Sequence, residues 1–191
     1  MNLLINLIPK DGTIIIFDEK RKIIDQIIWN AKGQESDTLF GKLEEIVAKN
    51  KLKFENISKI IVINGPGGFT GTRTTSLIIN TIRYLHKNIK LYPCDFFKFG
   101  ELMGKKYPML IKANKREYLV KDKVESKPEI KIIDEIAKGN YFGIGDNIDF
   151  ENKNIGIKLE LDYSKFLQNF VFGQDTDIIR PIYIKEPNIT C

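Results

Sequence analysis

The chain has 191 residues, enough for one good core or two small ones; 42% hydrophobic and 29% charged residues are ordinary for a soluble globular protein. A net charge of +5 comes from lysines scattered along the chain, which suits a solvated surface better than a nucleic-acid footprint. No apolar run approaches the roughly 20 residues of a membrane span, "MNLLINLIPK" lacks a basic leader and a cleavage site, and Cys94 and Cys191 form no metal-ligand spacing, so a cytoplasmic protein with two free thiols is expected.

In chain order, "NLLINLI", "TIIIFD" and "IIDQIIW" read as three short strands, with turns at Pro9–Gly12 and at Glu19–Lys22. From Ser36 the period changes to that of a helix: Leu39, Leu43, Ile46 and Val47 share one face, and Ser36 is placed to cap the first turn. "KIIVIN" is an unbroken apolar run, as expected of a central strand covered on both faces. A glycine-rich loop follows, then a second helix with Leu77, Ile78, Ile82 and Leu85 apolar, then "IKLYP" as a return strand.

The second half is again mixed α/β. "DFFKFGELMG" and "YSKFLQNFVF" suggest short helices, and "YPMLIKA" and "REYLVKD" a hairpin around Asn114. "PEIKIIDEIAKG" reads as a helix, because it opens on proline and closes on glycine. "YFGIGD" and "IGIKLEL" are strand candidates, and Pro181 allows "IIRPIYIK" an edge strand or none. The change in texture near Pro93 divides the chain into lobes at 1–93 and 94–191.

The loop itself, Gly65, Pro66, Gly67, Gly68, Phe69, Thr70 and Gly71, makes a sharp strand-to-helix turn. Gly65, Gly67 and Gly68 are free to take positive φ, and Thr70 or Thr72 to cap the helix. Such turns often aim N–H groups at anions, yet no lysine follows the glycines and the dinucleotide spacing fails by one place. Arg73 in the first helical turn opposes the helix dipole at a cost of about 0.3–1 kcal/mol, so a carboxylate or a phosphate is expected beside it. The single histidine, His86, excludes a two-histidine metal site, and ten helical positions, about 15 Å of rise, part it from Ser76. Asp146 with Asp149 and Asp175 with Asp177 lie in turn-like stretches without a calcium-loop ligand series.

"NGPGGFTGTR" resembles the signature of the TsaB (YeaZ) family, which acts in making threonylcarbamoyladenosine in tRNA. "SDTLFGKLEEIVAKNKL", "KANKREY", "GIGDN" and the Pro-x-Tyr ending "RPIYIKEP" are similar to further family segments in the same order. The resemblance implies an α/β, actin-like ATPase fold of two ribonuclease-H-like lobes, the first carrying partner-binding helices. It implies a non-catalytic subunit without a cofactor. Its two first-lobe helices would pair with those of a TsaD-like catalytic subunit, a TsaE-like ATPase would join, and tRNA would be met only through the complex. A homodimer through the same surface is also implied. The partner-binding positions would be Leu39, Leu43, Ile46, Val47, Thr74, Leu77, Ile78, Thr81, Ile82 and Leu85. Two departures stand out. Asn6, Leu7, Ile8 and Pro9 occupy the place of the family's Asp-Thr-Ser phosphate loop, and Thr72, Thr74, Thr75 and Ser76 stand where relatives carry small and apolar residues. A small actin-like phosphotransferase or ATPase is the alternative reading; a peptidase and a tRNA-contacting module rank below it.

Overall fold

The computed structural model describes residues 1–150 and 153–185. Three strands, β1 (Asn2–Asn6), β2 (Asp11–Phe17) and β3 (Ile23–Asn30), form an antiparallel meander. Helix α1 (Glu35–Lys49), strand β4 (Lys59–Ile63), helix α2 (Phe69–Leu85) and strand β5 (Lys90–Cys94) then complete a sheet of order β3-β2-β1-β4-β5, with β4 and β5 parallel to β1. The unbroken apolar run of β4 is explained by its central place. Ile60 and Val62 face α1 and α2, while Ile61 and Ile63 face the opposite core.

After α3 (Phe96–Leu102) the chain builds a second sheet from β6 (Met109–Lys112), β7 (Glu117–Lys121), β8 (Glu129–Ile132), β9 (Gly139–Ile144), β10 (Ile148–Phe150) and β11 (Lys153–Lys158), followed by α4 (Tyr163–Asn169). Its order is β10-β11-β9-β6-β7-β8. Leaving β10 aside, the order β8-β7-β6-β9-β11 repeats that of the first sheet, with the same antiparallel and parallel pairings. Among the described residues the two helices of the first repeat have no counterpart in the second. A 3-10 turn at Ile133–Glu135 replaces one, and β10 the other.

The segment "PEIKIIDEIAKG" is therefore not a helix. Its first residues pair with β7, where Lys131 reaches Asp122 across the ladder at 2.7 Å, and the proline and glycine bound a strand and a turn. The helices read at "DFFKFGELMG" and "YSKFLQNFVF" are present as α3 and α4. Both are short and each has an aspartate cap. Asp95 accepts from the N–H groups of Phe97 and Lys98, both at 3.0 Å, and Asp162 from that of Lys165 at 2.9 Å.

These two helices form the layer between the sheets. Phe96, Phe97 and Phe99 of α3 and Tyr163 and Phe166 of α4 pack with Leu4, Ile15 and Ile61 of the first sheet and Met109, Ile111 and Phe142 of the second. Phe96 stacks on Phe142 at 5.4 Å, and Phe99 meets Phe166 edge-on at 4.8 Å. Cys94 is buried in this layer, and burial pushes its thiol well above the ordinary range; Cys191 lies outside the described residues.

Close packing of β6 on β9 requires Gly143, whose added Cβ would lie 1.9 Å from the Leu110 carbonyl oxygen. Gly143→Ala is expected to destabilise the protein by about 1–3 kcal/mol, read as a lowered midpoint in chemical denaturation. In the native state Cys94 should react with a thiol reagent only at the rate of unfolding, as stopped-flow labelling would show.

Candidate functional site

Of the glycines in the loop between β4 and α2, only Gly65 takes a positive φ, at 123°. Gly68 is the N-cap with φ −60°, and neither it nor Gly67 needs the left-handed region. Glycine is required at 65 and 67 by close approach instead. A Cβ on Gly65 would meet the Ile182 carbonyl oxygen at 2.1 Å, and one on Gly67 would meet Ile8 Cδ1 at 2.7 Å. The caps expected from Thr70, Thr72 and Ser36 are absent. Helix α2 starts after Gly68 and α1 after Gln34, neither with a side-chain cap. The Thr72 hydroxyl instead donates to the Gly68 carbonyl at 2.9 Å.

That arrangement accounts for the polar run on α2. Thr72, Thr75 and Ser76 are buried, and Thr75 and Ser76 donate back to the carbonyls of Gly71 and Thr72 at 2.8 and 2.9 Å. The departure from apolar residues is thus spent inside the protein. Only Thr74 reaches the surface groove, where its hydroxyl shares a hydrogen bond of 3.1 Å with that of Ser36 and ties α2 to α1. Arg73 is exposed and lies over the Phe69 ring at 5.4 Å; among the described residues it has no carboxylate partner.

What the loop holds is the chain's own C-terminal strap, residues 174–185. Thr176 N–H donates to the Leu91 carbonyl at 3.0 Å, beside the edge of β5. Asn80 of α2 then grips Ile179 twice, accepting from its N–H at 2.7 Å and donating to its carbonyl at 3.0 Å. Asn64 donates to the Arg180 carbonyl at 2.8 Å and accepts from the Ile182 N–H at 2.8 Å. Tyr183 pairs with Gly67 and stacks on Phe69 at 5.1 Å, and Lys185 pairs with Glu117 of β7. The glycine loop and the Pro-x-Tyr ending, the two specific motifs of the sequence, are therefore two sides of one contact. Glu186 and Pro187 of that ending lie outside the described residues.

The helix faces sort differently from the sequence expectation. Leu39, Leu43, Ile46, Val47 and Ile82 are buried against β1, β2 and β4 and cannot be reached by another molecule. They seal α1 and α2 onto the sheet, each side chain worth about 1.5–3 kcal/mol of burial. The outward positions are Leu77 at 67% exposure and Leu85 at 68%, together with exposed Thr81 and half-buried Thr74 and Ile78. Sequence reasoning missed Phe40, 44% exposed, and Tyr84, 71% exposed. A signal was present: α2 buries 72, 75, 76, 79 and 82, one complete helical face, so its remaining apolar residues must lie on another.

The turn after β1 is closed. The Asn6 side chain is buried, accepting from the Ile8 N–H at 3.1 Å and donating to the Tyr163 hydroxyl at 3.1 Å, and Leu7 and Ile8 are buried beside it. Burial raises the Tyr163 hydroxyl's pKa, opposed by hydrogen bonds to Thr13 and Asn6. A cleft of about 610 Å³ opens next to this turn, and its charged groups are the carboxylates of Asp11 and Asp162. His86 sits half-buried at the end of α2 against Phe54, 3.8 Å from Glu55. Asp146 is ion-paired to Lys112, whose hydrogen bond holds its pKa below the usual carboxylate range, and Asp177 to Arg83. The side chain of Asp149 lies outside the described residues. Among the described residues no three His, Cys, Asp or Glu side chains converge to hold a metal, and no helix is long and apolar enough to cross a membrane.

No family model matches the chain. It is 26% identical over 185 residues, 93% of this chain and 91% of the other, to the uncharacterized protein MG208 of Mycoplasma genitalium. It is 24% identical over 110 residues, 57% of this chain and 56% of the other, to the MG208 homolog of Mycoplasma pneumoniae. Among solved structures it is similar to YeaZ from Pseudomonas aeruginosa, with a TM-score of 0.65 and 11% identity, covering 88% of each chain. It is also similar, at TM-score 0.61 and 11% identity over 74% of each chain, to an uncharacterized protein with similarity to peptidase YeaZ from Pseudomonas aeruginosa. The chain thus has the actin-like ATPase fold of YeaZ, as its sequence implied.

If the strap is pinned as described, Asn80→Ala should open it. Limited proteolysis followed by mass spectrometry should then cleave first within 174–185, at a rate at least several-fold above wild type. Gly65→Ala should lower stability by about 1–3 kcal/mol, measured by denaturant titration.

Proposed function

We propose that this chain is a TsaB/YeaZ-type subunit, a non-catalytic cytoplasmic scaffold. It binds and activates a TsaD-like catalytic subunit that makes threonylcarbamoyladenosine in tRNA. The first lobe, 1–93, carries the interface, and 94–191 is the smaller, diverged lobe. A TsaE-like ATPase is recruited to the pair, tRNA is met only through the complex, and no cofactor is needed.

The observation that carries this reading is the apolar outer stripe of the α1–α2 pair. Phe40, Leu77, Tyr84 and Leu85 are exposed, with Ile78 half-buried among them, on two helices already fixed to each other by Ser36 and Thr74. The inner faces are used by the sheet, against which Ile78 also packs in part, while Phe40, Leu77, Tyr84 and Leu85 lie outside that core. Clustered exposed apolar residues on a rigid pair of helices suit a helix-pair partner. A standard interface of about 1,600 Å² in total is within reach of two helices of 15 and 17 residues with their neighbours. The fold shared with YeaZ supports the same reading.

The alternative, a small actin-like phosphotransferase or ATPase, is disfavoured by the chemistry of the cleft. In the turn beside it Asn6 is committed to Ile8 and Tyr163, and Leu7 and Ile8 are buried and apolar, so these positions present no free polar side chain to a phosphate. A peptidase is disfavoured because His86 neighbours Glu55 and Phe54 rather than a nucleophile, and the buried Cys94 thiol is held protonated.

Leu77→Arg should weaken binding to the TsaD-like subunit of the same organism by at least about tenfold in calorimetry, with an unchanged melting midpoint, since the residue is exposed. Failure of the wild-type chain to bind that subunit would sink the proposal. ATP binding by the isolated chain at millimolar nucleotide would favour the alternative.

A further inference from the structure

The last turns of α2 and the strap enclose a pocket of about 400 Å³ lined by Asn80, Arg83, Tyr84, Lys87, Asp177 and Ile178. Arg83 is an awkward occupant. Its side chain is only 16% exposed, one terminal nitrogen donates to Asp177 Oδ1 at 3.1 Å, and its Nε–H is buried without an acceptor among the described residues. Asp177 is 96% exposed, and so exposed a carboxylate contributes little to a pair. A guanidinium offers five N–H donors, and a buried donor left without an acceptor is costly. The pocket therefore holds an arginine that it does not satisfy.

Two cations and one carboxylate leave the pocket with one net positive charge, counting Arg83, Lys87 and Asp177. The Lys87 amine lies 4.3 Å over the Tyr84 ring. Tyr84 and Ile178 are both exposed at the pocket, and Tyr84 continues the stripe of Leu77 and Leu85 on α2. A surface that is apolar along one helix and positive at its end fits a protein partner that presents apolar side chains and one carboxylate beyond them.

We propose that this pocket receives an acidic side chain, aspartate or glutamate, from the partner that covers the α1–α2 face, with Arg83 as its anchor. The inference rests on the interface reading given above. The incoming carboxylate takes its hydrogen bonds from the terminal N–H groups of the guanidinium, the end that already reaches Asp177 at the pocket's rim. Asp177 competes for the same arginine and is released to water. Strap and helix thus act together: Asn80 holds Ile179, and so fixes Asp177 and Ile178 at the pocket's rim.

The test compares wild type, Arg83→Met and Asp177→Asn in calorimetric titrations with the TsaD-like subunit of the same organism at several salt concentrations. Arg83→Met keeps the apolar stem and deletes the charge, so affinity should fall at least about tenfold and its salt dependence should flatten. Asp177→Asn removes the competing carboxylate from an exposed position, so affinity should rise. A structural role for the Arg83–Asp177 pair predicts the opposite for Asp177→Asn, a loss or no change, and that result would overturn the inference even if Arg83→Met failed to fold. Equal affinity and equal salt dependence for folded Arg83→Met and wild type would overturn it as well. Absence of wild-type binding would instead overturn the interface reading on which it stands.

Discussion

The main-chain carbonyl of Ile182 lies where a side chain on Gly65 would be, and the seating of the C-terminal strap against the first sheet depends on that approach. Because residue 65 lacks a Cβ and takes a φ of 123°, the strap comes close enough for Asn64 to bond both Arg180 and Ile182. Once seated, the strap reaches back along α2 to Asn80 and forward to Glu117 of the second sheet. The seated strap therefore links β4, α2 and the second sheet. The loop has the composition of an anion cradle, but its occupant is the protein's own main chain.

The same economy appears on α1 and α2. Their inner faces consume Leu39, Leu43, Ile46, Val47 and Ile82, and even the polar residues of α2 are turned inward and satisfied by bonds to the preceding turn. The outer stripe is what remains. Its residues are apolar although nothing in the described residues covers them, and its far end passes into a pocket with a positive charge that the fold leaves poorly matched. Surface chemistry of that kind supports the proposed interface.

The two sheets share a strand order but not a degree of completion. In the first, helices cover one face and the aromatic layer of α3 and α4 covers the other. In the second, the aromatic layer covers one face, while Leu110, Tyr118, Val120, Ile155 and Ile157 on the other are backed, among the described residues, by Ile133, Ile136 and Tyr141. The reduced second repeat makes the α3–α4 layer, with its stacked Phe96 and Phe142, the principal packing that it has.

Local pattern determined a great deal. The meander, α1, β4, α2 and β5 are legible because apolar spacing near two or 3.6 follows from which faces are buried, and the glycines and prolines mark turns for steric reasons that are purely local. The resemblance carried by the loop and the ending placed them in the actin-like fold, as the structure shares with YeaZ. Three matters were settled only in three dimensions. Residues 129–132 became a strand because β7 offered a ladder, which no helix-end signal could outweigh. Periodicity marked Leu39 and Leu77 alike as apolar, but only the position of the sheet made one core and the other surface. The partner of the glycine loop lay more than a hundred residues away, since Gly65 meets Ile182, and contact between distant segments leaves no spacing in a sequence to read.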